Sequence, residues 1–506
     1  MNNEMAAVCL RRSRHVGAGT APLFPRPCLI LGLCVALASE AERRDVLGAE
    51  DTPSPPLPGA AYSSEETGPG RLKEQTRVTV ETNALASAGA TGTNAPPRQF
   101  DWDLSWGGWD GLHFSLTRKT VFGWQRAVSA EVPVLRLEET RLDGKVGGKL
   151  ALNAAAYVTD DDWSGFDNGA EVRRARLYAK GDCLLLLPVS YELEVGYIPD
   201  QFYIEDSHLE FHNLGFLGSL KAGQFQVPMS LVNYGSSRDT MFMESATVVH
   251  ALAPGVNAGY QVGGPVLDRR MTWAFGLFTD SVGDDFGDAT KGFGRAVARV
   301  TGLPFHVRDA DSPHSQRLLH LGLSGTALLA GERTVRYRSR PESHLAPYVV
   351  DTGEIAADGA VASGVEAAWV QGPLCVQGEY LHSWVQGEAG PAIDFGGFYA
   401  QASWLLTGES RPYDRLNGTF ARLIPKRNFN FGKGGWGAWE IAGRYSMVDL
   451  NSGDVDGGRT SMVMLGVNWY LHPHVKWRFN CGLGRVSGRA PDGHLHVFQT
   501  SAEFDF

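Results

Sequence analysis

Residues 494–506 read HLHVFQTSAEFDF, and their side chains sort into two sets at a spacing of two. Phe498, Thr500, Ala502, Phe504 and Phe506 fall on one face of an extended strand, and Gln499, Ser501, Glu503 and Asp505 fall on the other, because successive strand side chains point to opposite sides. One face suits hydrocarbon and the other suits water. The division repeats upstream. Val475, Trp477, Phe479, Cys481 and Leu483 oppose Lys476, Arg478, Asn480 and Gly482. Trp439, Ile441, Tyr445 and Met447 oppose Glu440, Arg444 and Ser446, and Val189, Tyr191, Leu193, Val195 and Tyr197 oppose Ser190, Glu192, Glu194 and Gly196.

Alternation alone also fits a soluble sandwich, whose apolar face packs on a second sheet. Three further features favour a membrane. The N-terminal region has the order of a secretory signal, aromatic residues such as Trp469, Tyr470 and Trp477 cluster near strand ends as in interfacial girdles, and the last strand ends on an aromatic residue. Slipping 475–483 by one residue would place Lys476 and Arg478 in lipid at roughly 2–4 kcal/mol each near the midplane, so the register is strongly specified. In hydrocarbon a sheet satisfies its backbone only by closing on itself. The expected fold is therefore all-β, a transmembrane antiparallel β-barrel over 98–506. At roughly 10 residues per strand plus connections, that length gives about 14 to 18 strands. Asn451-Ser452-Gly453, Asp456-Gly457-Gly458 and His472-Pro473 mark turns, and the Gly- and Asp-rich stretch 281–292 reads as an external loop.

Composition agrees. The 506 residues are only 43% hydrophobic, with 61 Gly and 10% aromatic residues, which suits many strands and turns. A net charge of -10 argues against a nucleic-acid partner, which calls for a concentrated basic surface. Cys9, Cys28 and Cys34 lie in the leader region, and Cys183, Cys375 and Cys481 remain in the body without metal-ligand spacing. Their expected role is that of small hydrophobes.

Near the start, Arg11, Arg12, Arg14 and Arg26 precede an apolar core from Cys28 to Ala38 and then small residues. This is the order of a signal peptide, expected over 1–41 with cleavage after Ala38 or Ala41. The apolar run is too short to span a bilayer as a helix, which needs roughly 20 residues. Residues 42–97 are rich in Pro, Gly, Ser, Thr, Ala and Glu. They bury too little apolar surface to offset chain entropy and are expected to form a disordered linker, with a short helix over 71–85.

Several stretches carry a resemblance: Val172-Arg173-Arg174-Ala175-Arg176-Leu177, Ala222-Gly223-Gln224-Phe225 with Pro228, Thr240-Met241-Phe242-Met243-Glu244, Arg336-Tyr337-Arg338-Ser339-Arg340-Pro341-Glu342, Leu406-Thr407-Gly408-Glu409-Ser410-Arg411-Pro412-Tyr413, and Val467-Asn468-Trp469-Tyr470-Leu471 with Pro473. In that order they resemble the phosphate-selective porin O and P family. The resemblance implies a barrel of about 16 strands, a homotrimer, an inward-folded loop that narrows each pore, and an arginine ladder that guides anions. The family's constriction loop matches 226–253, which makes Arg238 a pore residue. There the chain departs from the family, with Gln226 after Gly-Gln-Phe where a Lys is usual, and Ser245 after Met-Glu where an Arg is common. Two missing cations at the narrowest region favour a broad, weakly selective pore.

Spacing adds its own candidates. Arg336, Arg338 and Arg340 are two apart and so share a face if extended, where planar guanidinium forks would attract phosphate-like oxygens. A solvated strand end is the competing reading. Arg174 and Arg176 share a lumenal face with Tyr178 and Lys180, while Arg173 is expected to snorkel or to lie near an interface. Glu192 and Glu194 of the next strand are the carboxylates that would neutralise them. Arg444, Lys476 and Arg478 read as general water-facing cations of the lumen.

The expected function is an outer-membrane porin of a bacterial cell, surrounded by lipid, that passes small hydrophilic solutes with an anion or phosphate preference and needs no cofactor. Two rivals remain. A non-conducting scaffold or adhesion barrel would show the same alternation. A lipid hydrolase would need a Ser and a His set together near the lipid face; the sequence has no Gly-x-Ser-x-Gly elbow, and none of its 14 His, His208, His212, His320, His472 and His474 among them, makes a pairing that stands out.

Overall fold

The computed structural model of the chain describes residues 99–119, 126–127, 130–131, 139–160, 163–184, 187–198, 201–279, 293–308, 314–329, 333–387, 391–432, 434–488 and 492–506. The expected signal (1–41), linker (42–97), helix (71–85) and loop (281–292) lie outside the described residues.

A hairpin, β1 (Gln99–Trp106) and β2 (Leu112–Lys119), precedes the wall. The wall begins with β3 (Glu139–Thr159), β4 (Gly169–Leu184), β5 (Pro188–Ile198), β6 (Gln201–Phe211), β7 (Ser219–Gln226), β8 (Val256–Val266), β9 (Met271–Thr279) and β10 (Phe293–Arg308). It continues with β11 (Gln316–Leu328), β12 (Ile355–Gln371), β13 (Leu374–Gly387), β14 (Ile393–Leu405), β15 (Ala438–Ser452), β16 (Val455–His472), β17 (Val475–Ser487) and β18 (Gly493–Asp505). Each strand pairs antiparallel with its sequence neighbour, and β18 returns to β3 from Leu495↔Thr159 to Asp505↔Lys149. The ring is a closed barrel of sixteen strands. Phe506 finishes the seam, its N–H donating to the Gly148 carbonyl at 3.0 Å and its own carbonyl accepting from Gly148 N–H at 3.1 Å. The first stretch of β3 pairs instead with β2, from Leu112↔Val146 to Lys119↔Glu139. The hairpin thus continues the line of β18 along the same edge of β3.

The period-two reading sets the two faces. In β18, Phe498 is 48% exposed and Phe504 41%, whereas Gln499, Glu503 and Asp505 are each 7% exposed. In β17, Trp477, Phe479 and Leu483 are exposed outward and Arg478 and Asn480 are buried. An aromatic rim follows at the end where Phe506 lies: Trp439 stacks on Trp469 at 5.0 Å, and Trp477 on Phe479 at 5.5 Å, as expected at a membrane–water interface. Cys481 is exposed on the outer face, Cys375 buried, and both are free.

The inner face departs from a simple wet wall. Leu381, Val385, Phe395 and Val448 point inward and are buried in one apolar cluster with Val248, Val249 and Leu252. Those three residues belong to the connection 227–255, which holds two short helices, α1 (Leu231–Tyr234) and α2 (Thr247–Leu252). The apolar inner wall is what draws this segment into the barrel, since burying each such side chain is worth about 1.5–3 kcal/mol. Gly466 of β16 makes room for it. A Cβ there would meet the Phe242 ring at 3.2 Å and the Asn480 amide at 2.9 Å.

Two further connections turn inward. The segment 329–354 enters from the same end as 227–255, and 406–437 enters from the end where Phe506 lies. Arg299 fixes the latter, donating to the carbonyls of Asn417 at 3.2 Å and Gly418 at 2.9 Å while pairing with Glu366 at 2.6 Å. His320 completes the link, with Nε2 3.1 Å from Glu366 and Nδ1 2.6 Å from the Tyr413 hydroxyl. A ring donating from Nε2 to the carboxylate and accepting at Nδ1 from the hydroxyl satisfies both.

Candidate functional site

Between the inner wall and the inward-folded segments lies a cavity of about 640 Å³. A smaller one adjoins it toward Phe506, and the two share Lys149, Arg174, Arg176, Arg238, Asp239 and Arg422. This shared ring is the candidate site. Lys149 comes from β3 and Arg174 and Arg176 from β4, while Arg238 is carried by 227–255 and Arg422 by 406–437. Segments from opposite ends of the barrel therefore meet here.

Carboxylates hold most of the ring. Arg176 pairs with Glu194 at 3.1 Å and Glu205 at 2.9 Å, and Lys149 also binds Glu194. Arg238 and Arg422 share the Asp505 carboxylate. Arg174 is different. It is buried to 8% exposure yet lines both cavities, and among the described residues it forms no ion pair or hydrogen bond. A buried cation without a partner is costly, so its charge is open to whatever occupies the cavity.

Arg173 also faces inward, where the sequence reading sets it near an interface. The reason is a bulge. β3 pairs Ala151 with Arg174 and then Leu152 with Val172, which leaves Arg173 as the extra residue, and a bulge re-aims the side chain it displaces. Arg173 pairs with Glu244 of the inward segment at 3.0 Å. Burial pushes the Glu244 carboxyl up, but the Arg173 charge and hydrogen bond outweigh it and bring it down to about 2. Glu244 therefore stays ionised across the neutral range and cancels Arg173.

Residues 145–506 match the family described as phosphate-selective porin O and P. The chain belongs to that family. It is 28% identical over 364 residues to a protein of Caulobacter vibrioides, covering 68% of this chain and 69% of that one. It is 27% identical over 293 residues to Porin O of Pseudomonas aeruginosa, covering 51% of this chain and 63% of that protein. Among solved structures, an anion-selective porin from Comamonas acidovorans is similar at 13% identity and a TM-score of 0.44, covering 72% of this chain and 99% of that one. OmpT of Vibrio cholerae is similar at 11% identity and a TM-score of 0.45, covering 72% of this chain and 98% of that one. The chain is an outer-membrane porin, a solute channel of the bacterial outer membrane.

The remaining candidates of this porin divide. Arg336, Arg338 and Arg340 do not stand on a wall strand. They lie in the connection 329–354, where Arg333–Val335 still pairs with β12 while Arg338–Ser339 pairs only with Val350–Asp351 of the same connection. Wall pairing ends at Val335↔Ile355, ahead of all three arginines, and Pro341 with the turn at Glu342 (φ 54°) closes the short ladder that follows; that strained turn is held by Arg444, whose Nε donates to Glu342 at 3.0 Å. Arg336 is neutralised by Asp351, with Nε–Oδ1 at 2.8 Å. Arg340 lines the large cavity and donates to the carbonyls of His344 and Ala346. Arg338 rests on the Tyr348 ring at 4.1 Å.

Arg444 and Arg478 face inward as expected but are covered rather than water-facing. Arg444 donates to the Glu244 carbonyl at 3.1 Å and Arg478 to the Phe242 carbonyl at 2.7 Å, so the inward segment sits on them. Neither lines either of these two cavities. Lys476 lines the smaller one and pairs with Glu503 at 3.2 Å. Sequence reasoning did not single out Lys149, Arg422, Glu342, Tyr348 or Arg411. Of these, Arg411 and Glu342 sit in the matching stretches and carried a signal.

Proposed function

We propose that this porin passes small hydrophilic solutes with a preference for anions, phosphate-like oxyanions among them. The observation that carries the reading is the set of guanidinium groups without a carboxylate partner: Arg174 and Arg340, which line the cavity, and the exposed Arg338, which shares the Tyr348 ring with Arg340. Charges in a water-filled passage with low-dielectric walls focus the field on the permeating ion. The preference is weak to moderate, because Gln226 and Ser245 line the cavity without charge and most other cations are cancelled. Assembly as a homotrimer in outer-membrane lipid belongs to the same proposal and follows the family.

Planar-bilayer recording across a KCl gradient tests it. The expected record is stepwise conductance with a reversal potential of the sign set by chloride. A silent but folded barrel would favour the scaffold reading, and a cation-signed potential would remove the anion preference.

A further inference from the structure

Three arginines of the segment 329–354 stand two residues apart, yet they are held in different ways. Arg336 meets the Asp351 carboxylate. Arg338 and Arg340 instead meet one aromatic ring, their guanidinium carbons 4.1 and 4.6 Å from the centroid of Tyr348. His250 of α2 lies nearly parallel to the same ring, with centroids 6.1 Å apart and planes 12° apart. The backbone N–H of Arg340 donates to His250 Nδ1 at 3.2 Å, which ties the ring's surroundings to the inward-folded segment.

The two modes of holding differ in what they leave behind. A carboxylate orders a guanidinium and cancels its charge. A ring orders it through the quadrupole of its face and leaves the full charge in place. Two neighbouring cations repel each other; Arg340 is also tied to the carbonyls of His344 and Ala346, so without the ring Arg338 would swing into water and the two would lose their common position.

We propose that Tyr348 is the positioning residue of the anion path at this mouth: it holds Arg338 and Arg340 together, ordered and not neutralised, so that both act on the same entering anion. The inference rests on the anion preference proposed for this porin and adds to it the group that maintains the charge. It requires the ring and not the hydroxyl.

The test is the anion-to-cation permeability ratio of Tyr348→Leu and Tyr348→Phe channels in a KCl gradient, beside the unaltered porin. Tyr348→Leu is expected to lower the ratio about two- to fivefold, the range a single cation–π contact supports, and Tyr348→Phe to keep it. In a background of Arg338→Gln with Arg340→Gln, Tyr348→Leu should change nothing further. Retained gel mobility of the folded barrel before heating controls for misfolding, and Tyr348→Gln replaces the Leu variant if that one fails to insert. An unaltered porin without anion preference would sink the underlying reading. An anion-selective porin whose Tyr348→Leu form matches it would overturn the role of Tyr348 alone, and so would a Phe variant that falls as far as the Leu variant.

Discussion

Arg174→Glu is expected to turn the reversal potential of this porin toward cations, with the largest shift of any single substitution in the lumen. Arg174 lines both cavities at their junction and forms no ion pair or hydrogen bond among the described residues, so an ion crossing that junction would meet a charge offset only at a distance. The substitution changes the local charge by two units. At about 6 Å and a water-like dielectric that is about 1.4 kcal/mol, or about tenfold in the permeability ratio. The new carboxylate would stand near Glu244 and Glu503, both part of the field around Arg174, and this like charge could impair folding. Arg174→Gln is the milder control and should give about half the shift in free energy. A ratio unchanged in both variants would show that Arg174 is off the ion path.

Arg411→Leu is expected to widen and destabilise the pore together. Arg411 is 2% exposed, pairs with Glu440, and donates to the Asp239 carbonyl at 2.8 Å. Arg411 belongs to the segment that enters from the Phe506 end and Asp239 to the one that enters from the other, so this side chain joins the two. Its removal leaves Glu440 buried beside Asn468 and Tyr470 without its cation, a loss of about 3–5 kcal/mol. The unfolding temperature read by heat-dependent gel mobility should fall, and single-channel conductance should rise with added noise. Adding Glu440→Gln should restore much of the thermal stability but not the conductance, because the Asp239 link stays broken. Unaltered conductance in the single variant would mean that the remaining contacts of the two segments hold them in place without the Arg411 link.

The wall was legible because its period is two and its outer solvent is uniform. Once Phe498, Phe504 and Phe506 are assigned to hydrocarbon, Gln499, Glu503 and Asp505 must face in, and the same logic carries β17, β15 and β5. Legibility ended where a residue's direction depends on its partner strand. Arg173 breaks the alternation through a bulge against β3, which the sequence of β4 alone does not encode. The filling of the lumen was half legible. Leu381, Val385, Phe395 and Val448 occupy inward positions of strands whose outward residues are also apolar, and such doubly apolar strands signal a cover on the inside. Which connection supplies the cover, and that it lands on Arg444 and Arg478, depends on the distance the chain travels across the barrel. The hairpin β1–β2 lies before the stretch that matches the family and was hidden by the uniform alternation of the barrel reading.

In the proposed reading, charge compensation and not the number of arginines sets the selectivity of this porin. The most direct test of that reading is the reversal potential of two engineered channels in one KCl gradient. In the first, Arg174, Arg338 and Arg340 are each replaced by Gln. In the second, Arg336→Gln and Asp351→Asn remove an ion pair as a unit. The expected result is a permeability ratio near unity for the first channel and an unchanged anion preference for the second. An anion preference that survives in the first channel, or is lost equally in both, would contradict the account.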